Sequence, residues 1–173
     1  IKELPFLESS LHSLGLLNYQ PIAEIMTKEV LTILEVDNLQ KILNILTTTQ
    51  HNGFPVVNES GQLRGLILRR TLCSLLTYKA YSVPTGVKSK DGSKIEVIPA
   101  STVAHDTLER TYPVFPDLNS IHLTDEEKEY WLDVRPYMDP APYIVKEETT
   151  LSRCYNLFRT MGLRHLVVVN GEL

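Results

Sequence analysis

His51-Asn-Gly-Phe-Pro-Val-Val-Asn58 stands 112 residues before Leu163-Arg-His-Leu-Val-Val-Val-Asn170, and that echo decides the fold. Working outward at the same offset, Thr48 falls on Thr160, Asn44 on Asn156, Leu39 on Leu151, Glu35 on Glu147 and Met26 on Met138. Met26-Thr-Lys-Glu-Val-Leu-Thr-Ile-Leu34 opens the first copy and Met138-Asp-Pro-Ala-Pro-Tyr-Ile-Val145 the second. An internal repeat sets the architecture before any single element does. Two copies are too few for a solenoid, which takes about three. They are expected to pack face to face about a pseudo-twofold axis, with a cleft between the halves.

Within each copy, hydrophobic period names the elements. Val30–Leu34 is short, apolar and β-branched, which predicts a strand. Asp37 or Asn38 follows as a helix N-cap. Leu39, Ile42, Leu43 and Leu46 then recur at helical spacing and predict one buried face. Asn52-Gly53 breaks that helix, and Phe54-Pro-Val-Val57 reads as a buried strand. Asn58-Glu-Ser-Gly61 is a turn, Leu63–Leu68 a third strand, and Arg70–Tyr78 a second helix with Leu72, Leu75 and Leu76 inward. In the second copy, Pro142–Val145 is a strand, Thr149 or Thr150 a cap, and Leu151, Cys154, Tyr155 and Phe158 an inward helix face. Gly162 ends that helix, and Leu166–Val169 is its second strand. The unit is therefore β-α-β-β-α, in an α+β fold. The second copy stops where the first has its third strand and second helix, so it is expected to be C-terminally truncated.

Between the copies the chain changes character. Lys79–Ser101, with Pro84-Thr-Gly86 and Lys88-Ser-Lys-Asp-Gly-Ser-Lys94, predicts a mobile surface loop. Thr111-Tyr-Pro-Val-Phe-Pro116 is extended and fixed by proline. Asp125–Tyr130 predicts a short acidic helical turn, and Asp125-Glu-Glu-Lys-Glu129 a solvated face. Pro21–Met26 is a short turn, preceded by a linker with an apolar cluster at Leu4-Pro-Phe-Leu7.

Composition removes whole classes of function. A hydrophobic fraction of 43% rules out disorder throughout. A net charge of −4 lacks the basic stripe of a nucleic-acid binder. No apolar run approaches the roughly 18 residues of a membrane span. The opening Ile1-Lys-Glu-Leu-Pro5 and the stop at Gly171-Glu-Leu173 point to a piece of a longer protein. Cys73 and Cys154 lie in apolar surroundings and read as small buried hydrophobes. No nucleophile elbow, HExxH, P-loop or dinucleotide glycine string occurs, so no catalytic or metal site is expected. His12, His105 and His122 have no ligand spacing and read as solvated.

The ordered motifs are more specific. Gly53-Phe-Pro-Val-Val57 followed by Gly65-Leu-Ile-Leu-Arg-Arg70 resembles a CBS domain, and the two copies resemble a tandem CBS pair. His51–Val57, Gly65–Arg69, Tyr112-Pro-Val-Phe-Pro116 and Gly162-Leu-Arg-His-Leu-Val-Val-Val169 resemble the cytoplasmic tail of CLC chloride transport proteins, in the branch of late-endosomal and lysosomal chloride/proton exchangers. Leu4-Pro-Phe-Leu-Glu8 is similar to the stretch joining the last membrane helix to the first CBS unit. On this resemblance residues 1–20 are the linker, 21–80 the first CBS domain, 81–131 the intervening segment and 132–173 the second CBS domain.

The resemblance implies a regulatory, non-enzymatic module on the cytosolic face of an intracellular membrane. Its partners would be its own transmembrane domain and a second copy of the full-length protein, with no nucleic acid. A CBS pair can hold ATP or another adenine nucleotide. The position matching the ring-stacking residue is His51, followed by Asn52 and Gly53, and backbone near Val30 and Leu31 matches the adenine-edge contacts. The ribose-binding Thr-x-x-Asp motif is absent: repeat one carries Leu68-Arg-Arg-Thr71, without the carboxylate. Arg164 and His165 read either as a structural ion-pair partner and a satisfied strand-edge histidine or as the interface with the membrane domain, where a guanidinium can grip a carboxylate. The rival reading is a nucleotide-sensing CBS pair from another host, an enzyme or a cation transporter. Such a host would lack the Leu4–Glu8 linker and the Tyr112–Pro116 segment.

Overall fold

Ile33–Leu34 (β1) and Val36–Asn38 (β2) lead into the helix Leu39–Thr48 (α1), and Gly53–Val57 (β3) brings the chain back beside β1. Leu63–Leu68 (β4) and the helix Arg69–Thr77 (α2) complete this run. The structure, a computed structural model, describes residues 15–82, 84–88, 95–97, 103–104, 107–108 and 116–170. The Leu4–Glu8 linker, Tyr112–Phe115, His12 and His105 lie outside them. Spatially the chain divides into two compact units that interleave along the sequence. The central unit is Glu29–Pro142, and the terminal unit joins Ile1–Lys28 to Tyr143–Leu173.

In the central unit a three-stranded sheet runs β1-β3-β4. β1 and β3 are parallel, with Ile33 opposite Val56, because α1 supplies the crossover that a parallel pair needs. β3 and β4 form an antiparallel hairpin around the Asn58–Gly61 turn. The Asn58 side-chain oxygen accepts from the Ser60 and Gln62 amides, and Gly61 takes φ +78°. Phe54 and Val56 of β3 and Ile67 of β4 point inward, at spacing two.

α1 begins where the sequence placed its cap. Asn38 Oδ1 accepts from the amides of Gln40 and Lys41, at 2.9 and 3.3 Å. Asp37, the alternative cap, is buried and accepts instead from the amides of Leu34 and Asn38 and from Lys41 Nζ. The buried stripe of α1 is Leu39, Ile42, Ile45 and Leu46. Leu43, expected inward and equally well spaced, is only half-buried, because what packs against α1 covers the Ile45 side of the stripe instead. α2 buries Leu72, Leu75 and Leu76 as expected, with Cys73 and Ser74 beside them. Each fully buried Leu or Ile contributes about 1.5–3 kcal/mol of transfer free energy.

The intervening segment is not all loop. Pro84–Lys88 (β5) and Ile95–Val97 (β6) pair antiparallel, with Pro84 opposite Val97 and Lys88 opposite Ile95. Further on, Glu127–Glu129 forms the expected short turn, but its acids are not all solvated. The Glu127 carboxylate meets Lys79 Nζ at 2.6 Å and accepts from the Tyr81 hydroxyl at 2.5 Å. Lys79, then Tyr81 and the Thr124 amide, lower its pKa to about 2.

Trp131–Asp133 (β7) pairs antiparallel with β2 and closes the central unit. After it, the amides of Tyr137 and Met138 return to the Val134 carbonyl, and Asp139 exchanges two hydrogen bonds with Leu66, at 2.8 and 2.9 Å. This segment leads into the second repeat, yet it folds on the first. The terminal unit mirrors it. The amides of Ile25 and Met26, 112 residues before Tyr137 and Met138, return to the Ile22 carbonyl. There the lead-in to the first repeat folds on the second: the Ile22 amide donates to Thr149 O at 2.8 Å, and Pro21 bridges Thr150.

The second repeat contributes Ile144–Lys146 (β8), the helix Leu151–Met161 (α3) and Val167–Val169 (β9). β8 and β9 are parallel with Val145 opposite Val168, which is the Ile33–Val56 register shifted by 112 at both positions. Thr150 caps α3 through the Arg153 amide, and Gly162 ends it at φ +62°. Its small core is Ile22, Val145 and Cys154, with Met26, Leu151, Leu157, Leu166 and Val168 partly buried against it. Tyr155 and Phe158, expected inward, are 47% and 37% exposed. In the central unit β4 and α2 help bury the matching face, and the described residues of the terminal unit include no equivalent of either. Both cysteines are buried thiols, as expected.

Candidate functional site

The sheet register brings the separated nucleotide candidates to one place. β1 and β3 run parallel with Ile33 opposite Val56, so the residues that precede the two strands lie toward the same end of the sheet. Val30 and Leu31 thus reach the same end of the sheet as the loop from α1 into β3. The strand itself is shorter than expected: only Ile33–Leu34 is paired, while Val30 and Leu31 stand outside it, 49% and 40% exposed. His51 and Asn52 are exposed, and Gly53 is half-buried as the first residue of β3. A flat ring and open backbone therefore occupy one edge.

A proline sharpens that edge. In the terminal unit the Val167 amide donates to the Tyr143 carbonyl at 3.0 Å. The residues 112 earlier are Pro55 and Leu31. Proline has no N–H to give, so no bond of that kind can run from Pro55, and no hydrogen bond to the Leu31 carbonyl is found among the described residues.

One residue of this site escaped the sequence reading. Arg69, at the start of α2, donates from Nη1 to the His51 carbonyl at 3.3 Å and from Nη2 to the Leu46 carbonyl. Its amide donates to the Asn52 carbonyl at 3.0 Å. The available signal was a cation opening a helix, where the macrodipole disfavours it.

The CBS domain family model matches residues 22–78 and 133–173. The chain belongs to the CBS domain family. It is 36% identical over 156 residues to H(+)/Cl(-) exchange transporter 7 of Mus musculus, covering 86% of this chain and 18% of that protein. It is 34% identical over 151 residues to chloride channel protein CLC-d of Arabidopsis thaliana, covering 83% and 18%. The chain thus spans about a fifth of the length of these relatives. Among solved structures, the CBS domain of a bacterial CNNM/CorC family Mg2+ transporter in complex with ATP superposes with a TM-score of 0.52 at 18% identity. That match covers 93% of this chain and 81% of the other and confirms the tandem CBS fold.

The second CBS repeat has its own version of the loop. Leu163, Arg164 and His165 stand 112 residues after His51, Asn52 and Gly53, so the candidate sites singled out on separate grounds occupy equivalent places in the two repeats. The structure does not bring them into one unit. Arg164 is exposed and makes no ion pair among the described residues. His165 is half-buried, and burial followed by the Arg164 charge holds its imidazole pKa below the ordinary value. Thr71, at the place of the missing ribose carboxylate, is half-buried in α2. His122 is exposed, as expected.

Proposed function

We propose that this CBS pair is the cytosolic regulatory module of a chloride/proton exchanger, and that its central repeat binds an adenine nucleotide through Val30, Leu31, His51, Asn52 and Gly53. One observation carries the nucleotide reading: the exposed imidazole of His51 and the exposed residues Val30 and Leu31 precede two parallel strands at one end of the sheet, where Pro55 has no N–H to give. The ring supplies a stacking face, and the Leu31 carbonyl accepts from the exocyclic amine of adenine. The similarity to the exchange transporters supports the host, and the ATP-bound CBS domain that shares this fold supports the nucleotide. Ion transport belongs to membrane helices of the full-length protein. The module acts on them by a coupling free energy, biasing gating as nucleotide binds. Arg164 and His165 form the contact with the membrane domain, and the exchanger works as a homodimer in a late-endosomal or lysosomal membrane.

Calorimetry with ATP on the full-length protein tests the site. His51→Ala should weaken binding by about 1–3 kcal/mol, the range found for base–aromatic stacking. His51→Tyr should keep or tighten it, because the larger ring covers more of the base. Equal affinity in the parent and His51→Ala would remove the ring from the site. A chloride flux that ignores ATP in a protein that binds it would remove the regulatory role.

A further inference from the structure

We propose that Arg69 is the positioning residue of the nucleotide loop in the central CBS repeat, an inference that rests on the nucleotide reading above. The carbonyls of a helix's last turn have no partner within the helix. At the end of α1 the Ile45 carbonyl is taken by Thr49, through its amide at 3.2 Å and its hydroxyl at 2.8 Å. The Leu46 carbonyl goes to Arg69 Nη2, and the same guanidinium reaches on to the His51 carbonyl. Arg69's own amide takes the Asn52 carbonyl. One residue thus ties the end of α1, the residue bearing the exposed ring and the entry to β3 into one frame.

The electrostatics explain why a cation stands here. At the first position of α2 its charge opposes that helix's dipole, but its side chain reaches the Leu46 carbonyl in the last turn of α1, the negative end of another helix, and the His51 carbonyl just beyond it. A guanidinium fork serves two carbonyls at once, whereas an ammonium is a single point of charge. The His51 backbone is held while its imidazole stays exposed, so the cost of ordering the loop is met before a ligand arrives.

The test compares Arg69→Gln, Arg69→Lys and a core control, Ile67→Val, in the full-length protein. It reads amide hydrogen exchange across residues 50–54 and ATP affinity by calorimetry. Arg69→Gln should speed exchange in the loop about tenfold and weaken ATP about tenfold, as expected for losing hydrogen bonds from a charged donor. Arg69→Lys should fall between Arg69→Gln and the parent. Ile67→Val should lower Tm with both readouts at parental values, which separates positioning from general stability. Unchanged loop exchange in Arg69→Gln, or in Arg69→Lys if the first variant does not fold, overturns the proposal. A loosened loop with parental ATP affinity also overturns it. A parent protein that takes up no ATP sinks the nucleotide reading instead, while the exchange data still decide whether Arg69 holds the loop.

Discussion

The loop Gln50–Gly53 and the loop Gly162–His165 are the same joint built twice, and they differ in almost everything a ligand would notice. Both leave a capped helix and enter a strand parallel to the one before, in registers that superpose at an offset of 112. The first presents an exposed ring, and its strand carries Pro55, which has no N–H to give. The second presents Arg164 and a half-buried His165, and its ladder is closed by the Val167 amide. Apolar periodicity and caps preserve a scaffold, then, while one imino acid or one side chain changes what the scaffold offers. The helices before the loops differ as sharply: Leu46 of α1 is fully buried, and its counterpart Phe158 in α3 is 37% exposed.

The helix contrast makes the largest prediction. Leu46→Ala should destabilise the central unit by about 2–5 kcal/mol, the cost of a cavity in a packed core. Phe158→Ala, at the equivalent position, should stay within about 1 kcal/mol. Denaturant unfolding followed by Trp131 fluorescence reports the central unit, and hydrogen exchange of α3 reports the other. Equal costs would erase the difference between the helices.

A somewhat smaller effect is expected at Gly65. A Cβ there would lie 2.5 Å from the Asp139 carbonyl oxygen and 2.8 Å from Met138 Sδ. The sulfur can move, but the backbone oxygen is held by its bond to the Leu66 amide. Gly65→Ala should therefore cost about 1–3 kcal/mol, as overpacking does. A melt superimposable on the parent's would show that Met138–Asp139 does not close this edge.

Exchanging the proline tests the loop comparison directly. Val167→Pro removes the bond to Tyr143 and should cost the terminal unit about 1–3 kcal/mol. Pro55→Val supplies the N–H that Val167 has at the equivalent position, so stability should change by less than about 1 kcal/mol while ATP affinity drops about tenfold. If the amide introduced by that substitution is protected from exchange while ATP affinity is unchanged, the Leu31 carbonyl is out of the site.

The smallest effects concern pH. Glu127, whose pKa is lowered to about 2, contributes stability that is complete above its ordinary value of 4.5 and lost as pH falls toward 2. His165, with a lowered pKa, contributes stability that is present above 6.5 and lost as pH falls through its folded value. The terminal unit should therefore weaken at a higher pH than the central one. Glu127→Gln should flatten the acid limb of the Trp131 signal, and His165→Gln the limb just below neutrality. Parallel pH profiles for the two units would contradict both assignments.

The sequence by itself determined the repeat, the order of strand and helix within it, the two-residue windows Asp37–Asn38 and Thr149–Thr150 that hold the caps, and the Gly162 stop. These are local matters: period, capping chemistry and backbone freedom act within a few residues, and the offset of 112 carried them from one copy to the other. Tertiary structure decided the rest. It chose Ile45 over Leu43 and left Tyr155 and Phe158 in solvent, because burial depends on what packs against a helix and not on its own spacing. It folded each lead-in segment onto the other repeat, and it engaged Glu127 with Lys79 and Tyr81 from far along the chain. It also made Arg69 the clasp of the His51 loop, by bringing its guanidinium to the Leu46 and His51 carbonyls.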